Sequence, residues 1–149
     1  MGCDIHLFAE KKVNDKWVSI DKYTKNPDFG EYDNREFVIE RENQVYRGRN
    51  YNLFCALAGV RSFHFSGTPS MVSEPKGLPE DCCEEIKKES ALYGSDGHSH
   101  SWNTLAELEA FNWDEYGKTC DEFRSRVFPK LKEASEDPNN VRIVYFFDN

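Results

Sequence analysis

Val141-Arg142-Ile143-Val144-Tyr145-Phe146-Phe147 is a nearly continuous apolar run close to the end of the chain. A strand with one wet face alternates apolar and polar residues. A run without alternation marks a strand buried on both faces. The fold has to place this segment inside a covered sheet, and that requirement limits what the rest of the chain can do.

The other end of the chain supplies a second strand. Over residues 2–10, Cys3, Ile5, Leu7 and Ala9 form one face, and Asp4, His6, Phe8 and Glu10 the other. The turn Lys12-Val13-Asn14-Asp15-Lys16 leads to Trp17-Val18-Ser19-Ile20, which predicts a β-hairpin. Residues 24–35 read as a polar loop, and Phe37-Val38-Ile39 is too short to assign.

The middle of the chain is helical. Asn50 N-caps a short helix over 51–60 whose stripe is Leu53, Phe54, Leu57 and Ala58. A long loop follows from Arg61 to Leu78. Pro79-Glu80-Asp81 opens a helix that runs to Tyr93 and stops at Gly94. Thr104 and Glu107 make a capping box. The spacing of Tyr116, Cys120, Phe123, Val127 and Leu131 predicts one helix from about 114 to 134, with Pro129 as a kink. The expected fold is one α+β domain over residues 1–149. Its antiparallel-dominated sheet is made by N- and C-terminal strands, and helices from the middle of the chain cover it.

A length of 149 residues with eleven Phe, seven Tyr and three Trp can build a core without disulfides or a structural metal. The formal charge of −8 repels nucleic acid and anionic membranes on average. The exception to examine is a basic patch around Arg41, Arg47, Arg49 and Arg61. The five cysteines are odd in number and fit no disulfide framework, so reduced thiols in a cytoplasmic protein are expected. No stretch is long and apolar enough to span a bilayer. Met1-Gly2-Cys3 starts like a lipidation signal but has His6 where Ser or Thr is required. Removal of Met1 is expected, because Gly2 is small.

Chemistry concentrates in Asp96-Gly97-His98-Ser99-His100-Ser101. On an extended segment His98 and His100 point to one face, as a pair of imidazole ligands. Asp96 is a third ligand or a partner that fixes a ring tautomer. Asp4 and His6 form a second pair by the same period. A divalent metal site (Zn²⁺ or Mn²⁺) on Asp4, His6, Asp96, His98 and His100 is the resulting expectation. Asp148 joins it if the terminal strands pair antiparallel. The same residues also fit a polar loop and a solvated sheet face. Arg47 and Arg49 flank a glycine just before a helix and are expected to grip an anion. His64, between Phe63 and Phe65, reads as a packed side chain.

Five segments together resemble a known group: Met1 to His6, Arg49 to Phe54, Glu74 to Pro79, Asp96 to Ser101 and Val141 to Asn149. They are similar to an uncharacterised family of small proteins encoded by bacteria and their phages. The resemblance implies a cytosolic setting linked to a phage or prophage. It carries no activity or catalytic residue.

Two functions follow as expectations. One is a metal-dependent hydrolase acting on a phosphate ester, with the metal activating water and the arginines holding a small anionic substrate. The other is a non-enzymatic acidic module that inhibits a host protein, with loops 24–35 and 61–78 making the contacts.

Overall fold

The computed structural model describes residues 2–149, so Met1 and its expected removal lie outside the described residues. Strands β1 (Asp4–Val13) and β2 (Lys16–Ser19) form the predicted hairpin. Asn14 and Asp15 make its two-residue turn with φ of 51° and 65°. Positive φ at both positions gives the turn a twist that matches the flanking strands.

The start of the segment read as loop and the unassigned Phe37–Ile39 form a second, two-stranded sheet: β3 (Tyr23–Lys25) pairs antiparallel with β4 (Phe37–Ile39). Three residues per strand are too few to display a period, so only the tertiary pairing reveals them. Helix α1 (Tyr51–Ala58) is capped as expected. The Asn50 side chain accepts from the Asn52 and Leu53 amides, and Gly59 closes the helix at φ 71°.

Helix α2 (Glu84–Tyr93) starts later than Pro79, because Pro79 to Cys82 form a turn in which the Cys82 amide donates to the Pro79 carbonyl. Strand β5 (Gly97–Thr104) leads into α3 (Leu105–Ala110) through the predicted Thr104–Glu107 capping box. The single helix expected over 114–134 is two pieces. A 3-10 turn (Trp113–Tyr116) ends at Gly117, with φ 59°, before α4 (Asp121–Ala134). All five residues of the predicted stripe are nevertheless buried.

The C-terminal run is β6 (Val141–Asp148), and every residue from Val141 to Phe147 is buried. The main sheet has the order β2-β1-β6-β5, antiparallel throughout. The two chain ends therefore form its centre, and the architecture is the expected α+β. On one face Ile5, Leu7, Ile143, Tyr145 and Phe147 pack with residues of α1, α3 and α4. On the other, Phe8, Val144 and Phe146 pack under Ile86 of α2 and Ile39 of β4. This double cover is what an unalternated strand requires. No helix among the described residues is long and apolar enough to cross a membrane. All five cysteines are unpaired thiols.

Two buried polar atoms near β3 have no hydrogen-bond partner among the described residues, the Tyr23 hydroxyl and Asp21 Oδ1. An orphaned buried hydroxyl is costly, so its removal should not harm the fold. Tyr23→Phe is expected to leave stability unchanged or raise it by about 1 kcal/mol. Urea denaturation checks this, and a clear loss would mean that the hydroxyl is bonded in solution.

Candidate functional site

The register of the terminal strands sets the site. Asp4 lies opposite Asp148, and His6 opposite Phe146. Opposed residues of an antiparallel pair share a face, so Asp148 stands next to His6. The His6 Nε2 and Asp148 Oδ2 atoms make a direct hydrogen bond. The antiparallel pairing of the terminal strands thus brings Asp148 against His6.

Two aromatic rings clamp the imidazole. Tyr93, the last residue of α2, lies 4.3 Å from it and Phe146 5.0 Å, centroid to centroid. Nε2 is committed to Asp148. The other nitrogen, Nδ1, has no hydrogen-bond partner among the described residues, yet it is not a closed-off buried atom. A ring fixed in orientation, with one nitrogen on a carboxylate and the other open, is the arrangement of a positioned acid–base group.

His6 opens into a groove of about 630 Å³. Five arginines line it: Arg35, Arg41, Arg47, Arg49 and Arg126. Three of them are neutralised by carboxylates of the same groove. Arg49 pairs with Asp4 at 2.9 Å, Arg35 with Glu89 at 3.0 Å and Arg126 with Glu122 at 3.8 Å. Arg35 also grips Asp33, and its guanidinium holds the Asp33 carboxyl well below the ordinary aspartate range. Arg41 and Arg47 have no ion-pair or side-chain hydrogen-bond partner among the described residues, and both are exposed. In a chain of charge −8, two free guanidinium groups beside an oriented histidine are a local reversal of sign.

The glycine of the opening motif has a place here. A Cβ on Gly2 would lie 2.4 Å from the Arg49 guanidinium, so the bare backbone lets Arg49 fold over it onto Asp4. Thus Arg49 is a tether of β1, whereas Arg47 remains available as the expected anion-binding group.

The five residues expected to hold a metal are dispersed. His98 and His100 do not share a face. Ser99 sits at φ 54° in a bulge that shifts the β5–β6 register between His98 and Ser101. An extra residue in a strand reverses the alternation beyond it. His98 therefore stacks on Phe147 and His100 on Phe146, consecutive residues that point to opposite sides of β6. His100 is on the His6 side, but β6 lies between β5 and β1. Two strand spacings, roughly 9.5 Å, and the Phe146 ring separate the two imidazoles.

The remaining bonds of these residues lead elsewhere. His98 bonds Ser99 and Asn149, and His100 Nε2 meets Ser90 Oγ of α2 at 3.1 Å. Burial first, and the charge of His98 second, push the His100 imidazole below the ordinary histidine value. Asp4 is taken by Arg49, and Asp96 is exposed in the turn before β5. Among the described residues, no group of three or more His, Cys, Asp and Glu side chains is placed to hold a metal ion. His64 is exposed, contrary to its reading as a packed side chain: it bonds Asn52 and touches the rings of Phe63 and Phe65, but Phe63 is itself 76% exposed and gives it no cover.

No family model, curated protein or solved structure matches the chain.

Proposed function

We propose that this chain hydrolyses small phosphate esters in the arginine-lined groove, with His6 as its acid–base group. The observation that carries the reading is the open Nδ1 of an Asp148-anchored histidine beside the unpartnered Arg41 and Arg47. Guanidinium groups grip phosphate oxygens and stabilise charge that develops on them. Nδ1 takes a proton from a water that attacks phosphorus. The ester P–O bond breaks, and the same proton passes to the leaving oxygen. Asp148 holds the tautomer and stabilises the imidazolium formed between these steps.

The test is phosphate release from para-nitrophenyl phosphate and from glycerol 3-phosphate, with and without added Zn²⁺ or Mn²⁺. His6→Gln is expected to lower the rate at least tenfold with little change in KM. Arg41→Ala combined with Arg47→Ala is expected to raise KM and to weaken inorganic phosphate binding by about tenfold. A wild-type protein that neither binds inorganic phosphate nor releases it from either ester would defeat the proposal.

A second reading has its own observation. Tyr32 is 81% and Phe29 50% exposed, in a loop that also carries Asp28, Glu31 and Glu36. Exposed aromatics among acids suit a basic protein surface. Tyr32→Ala would then abolish capture of a basic partner and leave phosphate binding unchanged.

A further inference from the structure

The connector that carries the groove's arginines also carries neutral polar groups. Tyr46 stands just before Arg47-Gly48-Arg49, and Gln44 two residues earlier. Beneath the arginines the groove narrows into a slot of about 80 Å³, which both side chains line. Tyr46 is 4% exposed, and its ring is held edge-on by Phe123 at 5.4 Å. Its hydroxyl nevertheless has no hydrogen-bond partner among the described residues and is not sealed from water. Buried side chains ordinarily pair their polar atoms, so one left open at a cavity is placed to meet a ligand. The glycine between the two arginines keeps it uncovered. A Cβ on Gly48 would come 3.0 Å from the Tyr46 hydroxyl oxygen. Gly48 lines the groove and Tyr46 the slot, so the hydroxyl lies where the two meet. Burial pushes it up to about 12, so it keeps its proton as a donor.

Gln44 belongs to slot and groove alike, and its side-chain amide also has no hydrogen-bond partner among the described residues. The other polar groups of the slot are engaged or enclosed. Arg35 is paired with Asp33 and Glu89, and the Tyr23 hydroxyl is closed off. Two neutral groups remain, each able to donate and to accept. They add no charge to the grip on a phosphate. They complement a hydroxyl, which also does both. A single water needs only about 10–15 Å³ of cavity, so the slot has room for several hydroxyl-sized groups. We infer that the substrate is the phosphate ester of a polyhydric alcohol, its phosphate on Arg41 and Arg47 and its hydroxyls on Tyr46 and Gln44. The inference rests on the groove being the phosphate site, and it adds what the phosphate is attached to.

Calorimetry with inorganic phosphate, glycerol 3-phosphate and n-propyl phosphate tests it. The two esters share a three-carbon chain and differ by two hydroxyls. Glycerol 3-phosphate is expected to bind wild-type protein about tenfold more tightly than n-propyl phosphate, as two neutral hydrogen bonds predict. Tyr46→Phe removes one oxygen that has no partner among the described residues, so the fold should stand. It is expected to cut the preference to about threefold, and Tyr46→Phe combined with Gln44→Ala to erase it, with inorganic phosphate affinity unchanged in both. Equal binding of the two esters by wild type would mean that the slot holds only water, and would overturn the inference. So would a preference that survives both substitutions. So would a loss at Tyr46→Phe that falls equally on inorganic phosphate, because the hydroxyl would then sit on the phosphate itself. These three results leave the groove standing. Absence of binding by all three probes would remove the groove, and this inference with it.

Discussion

Glu10→Ala is expected to cost about 3–5 kcal/mol of folding stability, a large share of what a domain of this size has. Glu10 is fully buried and Arg142 is 1% exposed. They face each other across β1 and β6. Glu10 Oε1 accepts from Arg142 Nη2 at 2.8 Å and from Nε at 2.9 Å, and its Oε2 accepts from the Cys83 amide at 2.8 Å. Arg142 also reaches Asp81 at 3.0 Å, and its guanidinium lies 4.0 Å from the Trp17 ring and 5.2 Å from Trp102.

Removing Glu10 leaves that cation buried, with Asp81 at the surface as its one remaining counter-charge and the Cys83 amide unpaired. The loss therefore measures a stranded charge, not the worth of the pair. The discriminating experiment adds Arg142→Met. In the double variant neither charge is buried, so most of the loss should return. Urea denaturation of wild type, both single variants and the double variant forms a cycle. Additive losses would show that the two side chains do not act as a pair.

The same ion pair marks where sequence reading stops. The apolar run 141–147 and the alternation over residues 2–10 are local patterns, and both strands followed from them. So did the Asn50 cap, the Thr104 capping box and the buried stripe of the last helix. Pattern does not rank strands across a sheet. Arg142 reads as one polar interruption in an apolar strand, and its partner lies 132 residues earlier. A lone arginine in a doubly buried strand was a signal that a buried acid had to exist, and Glu10 closes the polar-bearing face of the first strand. Only the register joins them.

The site was legible in the same uneven way. Asp4, His6 and Asp148 meet because both terminal strands are long enough to fix their register. The His98/His100 pairing fails on one residue, Ser99, whose positive φ no propensity foretells, since serine is not a residue that ordinarily takes the left-handed region. Arg47 and Arg49 are two apart and looked alike. The fold decides between them, because it brings Arg49 and not Arg47 onto Asp4. Tyr93 and Glu89 carried no sequence signal; they belong to the site because α2 packs its Ile86, Glu89 and Tyr93 positions over the Phe146 face of the sheet.

Folding stability is expected to fall as pH rises from about 4 to 7, in the part of the titration that Asp21 governs. Asp21 links the first hairpin to β3, and its Oδ2 accepts from the Ala9 amide at 2.9 Å, while Oδ1 is buried without a partner. Burial pushes its carboxyl up from 3.8 to about 7, against the opposing pull of the Ala9 amide and of Lys130. Below about 4 both folded and unfolded chains hold the proton, and nothing is lost. Between about 4 and 7 the unfolded chain releases it and the folded chain keeps it, so each unit of pH favours unfolding by up to about 1.4 kcal/mol. Above 7 the penalty is complete, on the order of 4 kcal/mol. The His100 imidazole and the Asp33 carboxyl are shifted the opposite way in stability terms, for both are held below their ordinary values, so their contributions grow as pH rises. A difference curve removes them. Asp21→Asn keeps an acceptor for Ala9 and cannot ionise. It should match wild type near pH 4 and exceed it by a few kcal/mol at pH 8, as read by urea denaturation at each pH. A variant less stable than wild type at pH 8 would mean that the ionised carboxylate is paired, with Lys130 as its partner.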